Sequence, residues 1–561
     1  MDLSRVIVAV ILSLVLIFAY QELVLKRLYP PPSEQPAEKM KPGQPAAPSA
    51  IASAAPGAAA TGAAPAREGI AAGEIQGAGP PPSERTIEVD TDLYAAQFTT
   101  RGARLKGFRL KRYNETASPD SGWYQIVMAA PGDELPLAAL VSRAGVTADD
   151  RALGYSTTAP DRVEAAVHGE TSIEFTAATA DGNRITKTLT FKRGTYAISM
   201  DVAVADGPAP DEVGVALSQS LVQRSAAFRD LPELQADVAN KVITESEDKL
   251  RKGVPPVTGA VTYAGFGDRY FLTAYLPESP VAATVAMSYE NDQAFMRMFF
   301  QGAPRIRTRI YIGPKLLEAL EAVNPLLNNA IDFGWLGFVA LPFLRILKSF
   351  HFIAPNYGVD IILLTVALRI VTLPMMIRSQ RSMMKMQRLA PQIERLREKF
   401  KDEQERLQRE MLDLYKRNHV SPLGGCLPML IQFPIFIGLY EALLNAIELR
   451  HAPFMAWIKD LSAPDCFGIP WMPQLPYLHC HGIPVLVLLM GASTFLQQWM
   501  SPTSPDPNQQ RMMMLTPLIF TVMFINFPAG LSLYYFSSNV LGVIQQFFLN
   551  REMKQYTPVT A

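Results

Sequence analysis

Little in this chain offers the groups from which enzyme sites are built. Its 561 residues include three cysteines and six histidines. Three thiols, at Cys426, Cys466 and Cys480, cannot knit a disulfide scaffold. The histidines, at 168, 351, 419, 451, 479 and 481, all fall in loops or at the edges of apolar runs. A hydrolase working inside a membrane needs a base beside its nucleophile, and the sequence places none at that depth. No glycine-rich phosphate loop of the Walker type occurs. Acids are equally scarce where proton-coupled transport would put them. Asp360 and Glu441 stand toward the outer ends of their apolar runs, and the last three runs contain none. The formal net charge is zero, so nothing draws the whole chain toward nucleic acid, and DNA is not an expected partner. The expectation is a protein that is not an enzyme and carries no cofactor.

What the chain does contain is divided. Residues 6–25, VIVAVILSLVLIFAYQELVL, are long and apolar enough to span a bilayer. Lys26, Arg27 and prolines follow without an A-x-A-like site, so residues 1–28 read as an uncleaved anchor, with a cleaved signal peptide as the alternative. Residues 29–84 are dominated by Pro, Ala and Gly and form a disordered tether. From 85 to 315 the apolar period becomes two. SIEFTAATADGNRITKTLTFKRGTYAISMDVAVADG alone holds three strand-like runs, punctuated at Asp181-Gly182-Asn183 and Arg193-Gly194. This is one large β-sandwich without catalytic spacing; partner or carbohydrate binding and a passive structural role are both open. Residues 316–352 include GWLGFVALPFLRILKSF, which is short and contains Pro342, and so predicts an interfacial amphipathic helix rather than a span. Residues 353–550 form a membrane core with apolar runs near 357–377, 423–446, 483–500, 512–528 and 530–549, and 551–561 are a short tail. The fold class is a polytopic α-helical membrane protein with six transmembrane helices, plus a large all-β domain.

One residue stands out in the first core run, YGVDIILLTVALRIVTLPMMI. Arg369 lies about 13 Å from the basic end near Arg378 and about 18 Å from Tyr357 along a helix. An arginine at such depth costs roughly 2.5–3.5 kcal/mol on insertion scales unless it meets water or a polar partner. Two readings are open: a water-accessible cavity within the bilayer, or a structural arginine paired to the carbonyls or amides of a neighbouring helix. Thr365, Gln432, Asn526, Ser537, Ser538, Asn539, Gln545 and Gln546 can wet such a cavity or act as helix-packing hydrogen bonders. Methionines cluster near the basic side, suited to apolar partners of varied shape or to gap filling.

Residues 378–418 carry twelve Lys or Arg against seven acids, which predicts a cytoplasmic loop and, by counting spans, cytoplasmic termini with the β domain outside. Two apolar stripes, Ile393, Leu396, Phe400 and Leu407, Met411, Leu414, predict a hairpin of two short helices broken near Lys401-Asp402. Its basic faces suit anionic lipid or ribosomal RNA, or are simply solvated. Cys466 and Cys480 share the outer loop 447–482. A disulfide, free thiols, or zinc bound with His479 and His481 are the alternatives there.

Three long stretches resemble the YidC family of membrane protein insertases: LRIVTLPMMIRSQRSMMKMQRLAPQIERLREK (368–399), SPLGGCLPMLIQFPIFIGLYEALLNAIELRHAPFMAWIKDLSAPD (421–465) and SPTSPDPNQQRMMMLTPLIFTVMFINFPAGLSLYYFSSN (501–539). The anchor, tether and β domain with DRYFLTAYLP (268–277) resemble the Gram-negative form, whose large domain is periplasmic. The resemblance implies a five-helix core in the bacterial inner membrane enclosing a hydrophilic groove, open to cytoplasm and lipid and closed outward. Arg369, Thr365, Gln432 and Tyr535 match its groove positions. Substrate is expected to slide into lipid along the third and fifth spans, which carry Phe433, Phe436, Phe520 and Phe524. Implied partners are nascent membrane proteins and the Sec translocon, with ribosome and anionic lipid at the basic hairpin. A solute channel or transporter using the same polar residues is the alternative. Three features depart from the family pattern: Glu441 stands where an aromatic residue is common, the loop 465–482 is long, and the tail carries only Arg551 and Lys554 as bases.

Overall fold

The computed structural model describes residues 73–128, 132–165, 169–220, 232–278, 282–290, 292–401, 403–418, 427–469, 471, 482–501 and 507–555. The expected first span, most of the tether, His168, Cys426 and Cys480 lie outside these residues.

The period-two region folds as expected. Strands Glu170–Ala178, Arg184–Lys192 and Ala197–Ala205 pair antiparallel in sequence. Their odd or even partners turn Ile173, Phe175, Ile185, Leu189, Phe191, Ile198 and Met200 inward, where all are buried. Among the described residues these strands belong to a 14-stranded sheet, and a 5-stranded sheet packs with it in the order Trp123–Met128, Arg104–Asn114, Tyr94–Thr99, Thr86–Asp90, Arg162–Glu164.

A buried ionic cluster ties the two sheets. The Lys187 ammonium donates to the carbonyls of Gly102 (2.7 Å) and Leu137 (2.9 Å) and pairs with Asp150 (2.5 Å). Arg104, from the smaller sheet, reaches Asp149 at 3.2 Å and Asp150 at 3.3 Å, and the Tyr155 hydroxyl donates to Asp150 at 2.9 Å. Burial pushes the Lys187 ammonium down to about 8 against the pull of Asp150. Every charge in the cluster has a partner, which is what burial at this depth demands.

Ten helices are described: α1 Glu247–Leu250, α2 Leu317–Val323, α3 Gly337–His351, α4 Tyr357–Arg388, α5 Ala390–Lys399, α6 Gln404–Arg417, α7 Leu427–Asn445, α8 Val485–Met500, α9 Pro507–Phe524 and α10 Ala529–Gln555. α4 is long and apolar enough to cross a membrane; parts of α7 and α9, and α8, are shorter apolar helices. At 1.5 Å per residue α4 is about 48 Å long, against about 30 Å of hydrocarbon. Its length corrects one expectation. The hairpin does not begin at 378, because no glycine or proline interrupts the chain there and α4 runs on to Arg388. The hairpin proper is α5 and α6. They close over Leu389 and Ile393, packed by Met386, Met411, Leu414 and Tyr415.

α3 is amphipathic. Ala340, Phe343, Leu344 and Leu347 face inward, while Trp335, Phe338 and Phe352 are exposed. It crosses α7 so closely that a Cβ on Gly438 would lie 2.6 Å from Val339, so only glycine fits at that crossing. The core helices follow one another around an arc in the order α9, α8, α10, α4, with α3 bracing α4 against α7. α7 and α9 end that arc and share almost no backbone proximity. The β domain contacts the helical part through Arg450. Its guanidinium lies 4.7 Å from the Tyr124 ring and 5.4 Å from the Phe271 ring and donates to the Asn114 carbonyl at 2.9 Å. Lys348 of α3 adds pairs to Glu318 at 2.8 Å and Glu448 at 2.5 Å.

Candidate functional site: an arginine within the helical core

Arg369 projects from the middle of α4 toward α10. Its Nη2 donates to the Ser538 carbonyl at 2.6 Å. Its Nε is buried and has no hydrogen-bond partner among the described residues. The contact is possible because Gly542, one turn further along α10, has no side chain. A Cβ there would lie 2.9 Å from Arg369 Nη2 and 2.4 Å from the Gln497 amide nitrogen of α8. Arg369 also borders a pocket of about 400 Å³ between α4 and α10, walled by Val366, Ile370, Leu373, Ile544 and Phe548. Of the two readings of this arginine, the pairing to a carbonyl of a neighbouring helix is seen directly, whereas the pocket beside it is walled mainly by apolar side chains.

The other expected groove residues divide. Thr365 is buried, and its hydroxyl donates to the Ile361 carbonyl of its own helix at 2.7 Å, so its proton is spent locally. Gln432 donates its amide to the Tyr534 hydroxyl at 2.9 Å, linking α7 to α10. The tyrosine bonded to that glutamine is therefore Tyr534 and not its neighbour Tyr535. Tyr535 turns instead to the rings of Phe524 (5.2 Å), Phe436 (5.6 Å) and Phe520 (6.2 Å). Phe436 meets Phe524 across the α7–α9 seam at 6.1 Å. Of the four phenylalanines expected to face substrate, Phe433 is 55% exposed and Phe524 is 0% exposed. Phe524 is the floor of the ring cluster and not an outward surface, because Phe436, Phe520, Phe527 and Tyr535 surround it.

Asn539 takes the packing role. Its amide donates to Thr494 at 2.7 Å and Ser493 at 3.2 Å, fastening α10 to α8. Gln545 reaches Gln380 at 3.3 Å nearer the hairpin. Glu441 accepts from Asn445 at 3.2 Å, and Asn445 also donates to the Asp332 carbonyl at 2.8 Å. Asn445, steadied by Glu441, therefore ties the C-terminal end of α7 to the loop before α3. In the loop between α7 and α8 Cys466 is disulfide-bonded, which removes it as a zinc ligand. Asp465 beside it accepts from the Trp457 indole at 2.9 Å and from the backbone amides of Leu486 and Val487. It caps α8 from a distance, where Pro484 offers no side-chain cap.

Residues 349–556 match the family described as the 60Kd inner membrane protein, and residues 86–346 match the YidC periplasmic domain. A membrane protein insertase YidC of Geotalea daltonii is 34% identical, covering 98% of this chain and 99% of its own length. The chain belongs to the YidC family. A second YidC relative, of Geobacter metallireducens, is 34% identical over 98% of each chain. A solved active YidC insertase is 18% identical, covering 87% of this chain and 96% of its own, at a TM-score of 0.35. The two matched regions, ending at 346 and beginning at 349, meet within α3.

Proposed function

We propose that this YidC-family chain is a membrane protein insertase. It lowers the cost of carrying the polar end of a nascent membrane protein through hydrocarbon. The observation that carries this reading is Arg369 at mid-helix with an unpartnered Nε, in a core whose described residues present paired amides, hydroxyls and rings. An unpaired polar group costs several kcal/mol in hydrocarbon, and supplying it with partners shortens the unfavourable path. Arg369 and the Gln432–Tyr534 pair line the groove. Phe433, Phe436 and Phe520 border the route by which an apolar segment passes between α7 and α9 into lipid. Thr365 and Phe524 support these walls from behind.

The chain has six spans: residues 6–25, α4, α7, α8, α9 and α10. The twelve bases of 378–418 hold α5 and α6 in the cytoplasm, and the β domain is periplasmic. Nascent chains reach the groove from the ribosome or from the Sec translocon, and the basic hairpin rests on anionic headgroups. Reconstitution tests the central claim. The purified chain in liposomes, without ATP, is given a small single-spanning protein, and protease protection of its translocated end is scored. Protection well above that of empty liposomes is expected. Protection at the empty-liposome level overturns the reading of an autonomous insertase.

A further inference from the structure

The periplasmic sandwich leaves one strand edge open. Glu170–Ala178 ends the larger sheet and pairs with Arg184–Lys192 on one side only. Its other side is covered near one end by this chain itself. Thr176 and Ser156 exchange both backbone hydrogen bonds, at 2.9 and 2.8 Å, and the Ala78 amide donates to the Ala178 carbonyl at 3.1 Å. Backbone groups in an antiparallel ladder alternate in direction, so those of Ser172 and Glu174 point the same way as those of Thr176. Among the described residues they meet nothing on that side. Sheet edges are commonly blunted by proline, by charged side chains or by a bulge. Residues 170–175, Glu-Thr-Ser-Ile-Glu-Phe, contain no proline and no bulge, their register with Arg184–Lys192 runs without a shift, and their charges, Glu170 and Glu174, are of one sign.

Across from this edge stands another. Arg162–Glu164 ends the smaller sheet, paired only with Thr86–Asp90. A pocket of about 470 Å³ lies in the fork, bounded by Pro160, Val163 and Glu164 on one side and Thr171, Ser172 and Ile173 on the other. Glu164 and Arg162 are the charged residues that line this pocket, and Arg162 is occupied by Asp90 at 3.4 Å. The edge strand beside it adds the exposed Glu170 and Glu174, and none of the three glutamates forms an ion pair among the described residues.

We propose that this fork is a strand-addition site for an extended, cationic segment of another polypeptide. The amides and carbonyls of Ser172 and Glu174, unpaired among the described residues, match a partner with backbone groups at strand spacing. The three glutamates select lysine or arginine on alternate residues of that partner. The site is independent of the groove and of the insertase reading.

The test uses the full-length protein in detergent and a peptide of about ten residues alternating lysine and valine. A second peptide of the same sequence is N-methylated at alternate residues, which keeps its charge and removes its pairing amides. The first peptide is expected to bind and to slow amide exchange at Ser172 and Glu174. The methylated peptide, and the variant carrying Glu164→Lys with Glu174→Lys, are each expected to weaken binding by about tenfold or more. Equal binding of both peptides would mean attraction by charge alone and overturns the proposal. So does binding that protects a different strand, or no binding of the first peptide.

Discussion

At the scale of single residues, charge out of place is the most legible signal. Arg369 announces itself by standing alone in an apolar run, and the structure finds it held by one carbonyl with one nitrogen to spare. Arg369→Ala is expected to slow insertion of substrates with acidic outer segments by about tenfold, the worth of one charge-assisted hydrogen bond, and neutral ones much less. Equal losses for the two substrate classes, in the liposome protection assay, count against it. The neighbours that shape this arginine are far less legible. Gly542 and Gln497 look like ordinary helix residues, and Tyr534 differs from Tyr535 only by the 100° that separates adjacent positions on a helix. Lys315 is a second hidden case. It is buried in the β domain, and burial pushes its ammonium down to about 8. Between that value and the ordinary lysine range the unfolded chain holds the proton that the folded chain has released, so stability contributed at this site rises with pH. Lys315→Met is expected to remove that rise, by up to about 1.4 kcal/mol per pH unit, from the thermal stability of the full-length protein between pH 8 and 10.

At the scale of elements, periodicity carries most of the information and boundaries the least. The period-two runs become strands, and the stripes around Ile393 and Leu414 become the hairpin. The start of the hairpin is not legible, because a helix that leaves hydrocarbon for water changes composition without changing conformation, α4 runs through Pro374, and it has no glycine or proline between Ile377 and Arg388. Ile393 is buried between α5 and α6. Ile393→Asp is expected to cost the hairpin about 3 kcal/mol. Amide exchange should then accelerate across α5 and α6 while the apolar part of α4 stays protected. Acceleration throughout α4 instead would mean that hairpin and span form a single cooperative unit.

At the scale of the whole molecule, the order of domains is plain from composition, whereas the way they are joined is not. Arg450 reads as one more loop base, yet it is clasped between two rings of the β domain. Arg450→Ala is expected to loosen that docking by about 1–2 kcal/mol, read as faster exchange around Tyr124 and Phe271, and to leave insertion intact. A matching loss of insertion would make the periplasmic domain part of the machinery. The seam between α7 and α9 is fastened differently. Where Arg450 grips through charge, Phe436 and Phe524 touch only as rings, and no ion pair or hydrogen bond between those two helices occurs among the described residues. On the proposed route between α7 and α9, parting the described ring contacts strips water from no charge. The rhythm of that seam should therefore be deaf to salt and proton concentration and answer instead to the thickness and fluidity of the lipid that leans against it.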